Sequence, residues 1–317
     1  MSGIAKSENL SGIKMKIIEC VPNFSEGCDQ KKIKTIAKVF ESFPCVRLID
    51  FSGDADHNRS VFTFLGKPEN VLEAALAACG KALELIDMRK QTGVHPRLGA
   101  VDVVPFIPLG KTKMKDAVDL AHTFGQQLYE RFGVPVYFYG HAAMVPGRDE
   151  LANVRRGGYE ALKSKMINPD DAPDVGKPVF NARAGATAVG ARELLVAYNI
   201  NLECADLRLA QKIASQIREK SGGLKHVRAI GVILKSRGIA QVSINLTDCK
   251  KMPLKAIYDE VEKLAAERDI EILESELIGL VPKCAFAGIT PKYLKLRDFD
   301  KQRLLETHLK AFSAHDD

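Results

Sequence analysis

No stretch of this sequence is long and apolar enough to span a bilayer, which takes about 20 consecutive apolar residues. The first residues carry no basic start followed by an apolar run. Neither a membrane segment nor a signal peptide is expected. Cysteine pairs are missing too. Cys20, Cys28, Cys45, Cys79, Cys204, Cys249 and Cys284 make an odd number, and no two form C-x-x-C. That argues against a disulfide framework and a structural zinc site, and fits a reducing, cytoplasmic setting. The glycine-rich run G-A-T-A-V-G at 185–190 matches neither the P-loop nor G-x-G-x-x-G, which excludes those nucleotide fingerprints. D-A-D-H at 54–57 offers no recognised ligand spacing, so no metal is expected. Tryptophan is absent, and no basic stripe accompanies Phe62, Phe64, Tyr137 and Tyr139. An RNA-reading sheet needs both exposed aromatics and such a stripe, so no nucleic-acid partner is expected.

What is present is globular in character: 46% apolar and 27% charged residues. At 317 residues the chain exceeds the size at which one core stops growing, so two domains are the default. A net charge of +6 is mild and suits anionic small molecules.

Periodicity gives the order of elements. Residues 1–12 read as a disordered leader. Residues 15–21 read as a strand running into a polar turn at 22–27. Ile33, Ile36, Ala37 and Phe40 recur at helical spacing, and Pro44 closes that helix. Residues 46–51 and 60–66 read as a hairpin, Pro68 to about Met88 as a helix, and residues 100–107 as a strand. This is the ferredoxin-like split βαββαβ order. A helix over 113–132 and a strand at 134–140 extend it, and residues 141–187 read as irregular. The order then repeats: strand 193–202, helix 206–220, strands 226–234 and 239–246, helix 254–268, strand 270–275. The predicted fold class is α+β, with two ferredoxin-like (βαββαβ) subdomains packed together. They span 13–190 and 191–290, followed by a charged, helical tail at 291–317.

Chemistry-bearing residues gather in four clusters. Asn23, Ser25 and Glu26 follow the first strand, and either cap the next helix or reach a ligand. Asp54, Asp56, His57, Asn58 and Arg59 crowd one hairpin, which needs only one or two polar residues to turn; function is favoured there. His95, held extended by Pro96, stands two residues before Arg97. An imidazole can accept and deliver a proton near neutral pH, and a guanidinium can grip a carboxylate with two hydrogen bonds. The bland alternative is a turn-capping His95 and a solvated Arg97. The fourth cluster is the glycine- and alanine-rich run 176–190, whose small residues would let backbone approach a flat ligand.

These clusters carry a resemblance. E-C-V-P-N-F-S-E-G at 19–27, D-A-D-H-N-R-S-V-F-T-F-L-G at 54–66 and L-I-D-M-R-K at 85–90 precede H-P-R-L-G-A-V-D-V-V-P-F-I-P at 95–108. G-A-T-A-V-G-A-R-E-L-L-V-A-Y-N-I-N-L follows at 185–202. Together, in unbroken order over residues 15–285, they resemble the glutamate formimidoyltransferases and the N-terminal part of the bifunctional formimidoyltransferase-cyclodeaminases. The resemblance implies two ferredoxin-like subdomains and transfer of a formimino group from N-formimino-L-glutamate to N5 of tetrahydrofolate. It implies His95 as the catalytic histidine, and a folate-binding segment on Gly176, Lys177, Pro178, Val179, Phe180, Asn181, Ala182, Arg183, Ala184 and Gly185. Arg97 or Arg59 would take a substrate carboxylate. Asn23, Glu26, Asp56, His57 and Asn58 would orient the histidine and hold the amidinium. The co-substrate would be tetrahydrofolate, including its polyglutamylated forms. A homodimer and a separate cyclodeaminase partner are further expectations. The sequence departs from the bifunctional vertebrate-type pattern at Lys90, Gln91, Thr92, Gly93 and Val94, which leaves formiminoglycine open as the donor. A non-catalytic folate- or RNA-binding role is the remaining alternative.

Overall fold

The computed structural model describes residues 15–93 and 96–313. The chain divides into two compact units, with the break between Glu193 and Leu194.

In the first unit the elements follow as β1 (Lys16–Cys20), β2 (Asn23–Phe24), α1 (Gln30–Lys38), β3 (Val46–Asp54), β4 (Arg59–Gly66) and α2 (Pro68–Leu85). Then come β5 (Val101–Gly110), α3 (Met114–Phe132), β6 (Val136–Gly140), α4 (Leu151–Val154), α5 (Gly158–Ile167) and β7 (Thr187–Ala191). β1 lies between β4 and β5, antiparallel to both: Glu19 faces Leu65 on one side and Ile107 on the other. β3 pairs with β4. That arrangement is the ferredoxin-like order. β7 and β6 then extend the sheet beyond β5 as parallel strands. One face packs into a core with Ile18, Phe62, Phe64 and Phe106 against the buried stripes of α1–α3, such as Ile33, Ala75, Ala121 and Phe124. Val103, Tyr137, Tyr139 and Ala188 form a second cluster with Val154 of α4 and Leu162 and Met166 of α5.

The second unit holds β8 (Val196–Leu202), α6 (Leu207–Ile217), β9 (Val227–Leu234), β10 (Ile239–Leu246), α7 (Leu254–Ala266), β11 (Ile272–Ile278) and α8 (Leu305–Ser313). Its strands lie in the order β11-β8-β10-β9, each pair antiparallel. Leu209, Ile213 and Ile217 of α6 and Ile257, Val261 and Leu264 of α7 pack on Tyr198, Ile200, Val242 and Ile244. The two-unit α+β fold is therefore as expected.

Four local expectations need correction. The strand expected at 193–202 begins at Val196, and a separate strand, β7, precedes it in the other sheet. β7 is buried along its whole length, so it lacks the alternation that marks a half-exposed strand. The 141–187 region, expected to be irregular, contains α4 and α5. The polar turn at 22–27 contributes β2, inserted between β4 and β5. The hairpin loop is shorter than expected, because Asp54 ends β3 and Arg59 begins β4.

Candidate active site

One end of the first sheet brings together described residues from all four clusters. The β3–β4 hairpin tip, the chain after β2, the residues before β5 and those before β7 all meet there. Main-chain contacts hold them together. Ser25 N donates to Ala100 O (3.0 Å), and Ser25 Oγ to Gly99 O (2.8 Å). Ala100 N donates to Ala184 O at 2.8 Å. Three glycines make this closeness possible. A Cβ on Gly27 would fall 2.1 Å from Asp54 O, one on Gly99 2.3 Å from Ala184 O, and one on Gly93 2.5 Å from His57 O.

Asn58 is the knot of the site. It sits at φ 47°, a region that Asn tolerates better than most residues. Its Oδ1 accepts from Gly27 N (2.9 Å), its Nδ2 donates to Thr92 O (2.6 Å), and its carbonyl accepts from Gln91 Nε2 (2.9 Å). Gln91 in turn accepts from Arg97 Nε, and Arg97 Nη2 also reaches Glu160 Oε1 at 2.8 Å. The described residues on either side of His95 are thus anchored to the hairpin tip. His95 itself, with Val94, lies outside the described residues.

Other expected residues divide by what they touch. Glu26 is buried, and its carboxylate accepts from Cys28 N (3.1 Å), Asp29 N (3.0 Å) and Lys32 Nζ (2.7 Å). It serves the start of α1, where Asp29 is the N-cap. Asn23 donates to Val21 O. His57 is buried, with Nδ1 3.0 Å from Asp54 Oδ1. Burial pushes the Asp54 carboxyl up, but hydrogen bonds from the His57 side chain and backbone outweigh it and hold the group below the usual carboxylate range. Asp56 lies in the hairpin turn, half-buried. Arg59 has its pKa lowered to about 10, first by burial and then by the nearby Arg155 guanidinium; Asp102 and Asp54 oppose the shift. It stays charged at neutral pH.

The expected folate segment is spread along this end of the sheet. Asn181 Oδ1 accepts from Arg183 N (3.1 Å) and Ala184 N (3.0 Å), forming a turn that delivers Ala184 and Gly185 to the Leu98–Ala100 strip. Arg183 Nη2 donates to Glu84 O (2.8 Å), and its carbonyl accepts from Met88 N. Tyr159 Oη donates to Ala182 O (2.5 Å), and its ring stands 5.4 Å from that of Phe180. Gly176 and Lys177 lie further out, against Tyr129. Pro178 and Val179 are exposed. A cleft of about 270 Å³ opens between these parts; Glu26, Lys32, Asn58, Lys90, Gln91 and Arg183 contribute to its wall. Three of those six are cations.

Two positioning groups escape sequence reading. Asp102, buried, accepts from Leu98 N (2.9 Å) and receives both Nε and Nη2 of Arg155. This buried pair fixes the strip that follows Arg97. It joins residues 53 apart, and no local pattern announces such a contact. Gln91 sits in a stretch that reads as an ordinary polar loop.

The formiminotransferase domain, N-terminal subdomain, matches residues 17–192, and the formiminotransferase domain matches residues 197–307. This chain belongs to the formiminotransferase-domain family. It is 41% identical to the glutamate formimidoyltransferase of Streptococcus pyogenes serotype M1, over 93% of this chain and 99% of that protein. It is 42% identical to the glutamate formimidoyltransferase of Thermoplasma acidophilum, over 92% and 97%. The formimidoyltransferase-cyclodeaminase of Gallus gallus is 46% identical over 88% of this chain, which spans about half, 53%, of that longer protein.

Proposed function

We propose that this protein transfers the formimino group of N-formimino-L-glutamate to N5 of tetrahydrofolate, releasing L-glutamate and 5-formiminotetrahydrofolate. The observation that carries this reading is likeness, over nearly their whole length, to two proteins named glutamate formimidoyltransferase. N5 attacks the amidine carbon and forms a tetrahedral intermediate. The bond from that carbon to the glutamate nitrogen then breaks, and the nitrogen leaves as an amine once protonated. His95 takes the proton released from N5 and supplies the one the leaving amine needs, a role that contributes about 10²–10⁴-fold in rate. The anchoring of Thr92 and Arg97 at the Asn58 knot supports it.

Arg59 is the candidate for a substrate carboxylate. Arg97 is committed to Gln91 and Glu160 and acts by position. The turn Asn181–Gly185 offers backbone to the flat pterin. Lys90 and Arg183 give the cleft the charge that a glutamyl tail would seek.

The test mixes purified protein with tetrahydrofolate and either formiminoglutamate or formiminoglycine, and follows amino-acid release. Glutamate release that falls at least a hundredfold in His95→Ala, with tetrahydrofolate binding retained, is expected. Release of glycine alone would change the donor, and full activity in His95→Ala would remove the histidine from the chemistry.

A further inference from the structure

Far along the chain from the residues so far invoked, two cysteines face each other. Cys249 follows β10 and Cys284 lies in the short helical turn Lys283–Phe286. Their sulfurs are 2.9 Å apart, and both residues are partly exposed. Each is fixed by contacts independent of the other. On one side Asp248 Oδ1 accepts from Lys250 N (3.1 Å) and Lys251 N (3.2 Å), and Asp248 O accepts from Met252 N (3.0 Å). On the other, both Glu306 carboxylate oxygens accept from Lys283 N at 3.0 Å, and Ala287 N donates to Cys284 O. The two sulfurs are thus held about 0.9 Å beyond the length of a disulfide bond.

We propose that Cys249 and Cys284 form a reversible redox site, oxidised to a disulfide by low-molecular-weight disulfides such as glutathione disulfide. The surroundings shift the acidity of the two thiols in opposite directions. The hydrogen bond with Cys249 lowers the pKa of Cys284 against the opposing effects of burial and of the Glu306 carboxylate, with Lys250 adding to the lowering. Cys249, as the donor, is pushed up. Cys284, whose ionisation this contact favours, is the attacking thiolate once its own proton has passed to solvent, from which the second glutathione thiolate later takes one up. It displaces one glutathione thiolate and forms a mixed disulfide. Cys249 then loses its proton to that thiolate and attacks the Cys284 sulfur, releasing the second. Two protein thiols are oxidised and one glutathione disulfide is reduced to two glutathiones.

The oxidised bond would tie the chain before α7 to the segment that Glu306 joins to α8. It would close a loop long enough to stabilise this unit by restricting the unfolded chain.

The full chain is equilibrated in glutathione buffers from fully reduced to fully oxidised, quenched with acid and digested with trypsin. The expected product is peptide 238–250 joined to peptide 284–292, two hydrogens lighter than the reduced pair. It should disappear with dithiothreitol. Alkylation before digestion should show the Cys249 and Cys284 thiols lost together, and Tm should rise by roughly 5 °C on oxidation. Cys249→Ser should stop at a glutathione adduct on Cys284, and Cys284→Ser should take up little glutathione at Cys249. A protein that keeps both of these thiols in oxidising buffer, or forms adducts at both positions without the cross-link, would overturn the proposal.

Discussion

Glu19 is a carboxyl whose protonation is strongly displaced by folding around the first sheet. It sits in β1, 3% exposed, and its Oε2 has no hydrogen-bond partner among the described residues. Burial raises its pKa to about 7 from an ordinary 4.5, and Arg192 only partly opposes this. The folded protein therefore holds this proton more tightly than the unfolded chain. Stability from this group is full below about pH 4.5 and is lost as pH rises to about 7, an effect of about 3 kcal/mol. Glu19→Gln carries no such charge. It should raise Tm relative to the wild type at pH 8 and leave it nearly unchanged at pH 5. Equal shifts at both pH values in thermal melts would mean that Glu19 is not held protonated.

Asn58 makes a second residue-scale prediction. Replacing it by Ala removes the bonds to Gly27 N and Thr92 O and strains a position at φ 47°. Urea melts should show a loss of about 1–3 kcal/mol. Transfer activity should fall with it; Asn58→Gly relieves the backbone strain, so it should recover part of the stability but none of the activity. Recovery of both would show that only the backbone conformation matters.

At the scale of elements, the sequence made most of the fold readable wherever burial is one-sided. Ile33, Ile36 and Ala37 mark α1, and Leu209, Ile213 and Ile217 mark α6, because one stripe of each is buried. β7 was hidden for the opposite reason: T-A-V-G-A is buried on both faces and made of small residues, so it reads as a glycine-rich linker. α5 was hidden by its entry, since Gly157 and Gly158, at φ 82° and 63°, look like loop. Of the candidate site, the polar clusters were legible because they exceed what turns require. The Asp102–Arg155 pair and the Asn58–Gln91–Arg97 chain were not, because they depend on which loops the sheet brings to one end. Gly99 is where those loops touch. Gly99→Ala would drive a methyl into Ala184 O and Ala186 O, both main-chain atoms that cannot rotate away. It should cost about 1–3 kcal/mol in a denaturant melt and raise KM for tetrahydrofolate several-fold. An unchanged KM would detach the Asn181–Gly185 turn from folate binding.

For the whole molecule, the two units share the ferredoxin-like strand order but differ in what they add to it. The second has its own continuous core of strand and helix side chains, and among the described residues all four strands of its sheet come from residues 196–278. Expressed alone, residues 194–317 should fold cooperatively and give a dispersed amide spectrum. A collapsed, poorly dispersed spectrum would show that this core is insufficient by itself.

The first unit has a different dependence, set by β7. That strand lies between β5 and β6 but comes from residues 187–191, after both of them. During synthesis, the β5 and β6 segments are made before the strand that pairs with both. Their unpaired edges stay open to other chains until the last residues of the unit arrive to fill it. A ribosome that stalls after β6 has emerged but before residues 187–191 have cleared the exit tunnel therefore holds a nascent chain with its hydrogen-bonding edges bare, and that interval is when it most needs a chaperone.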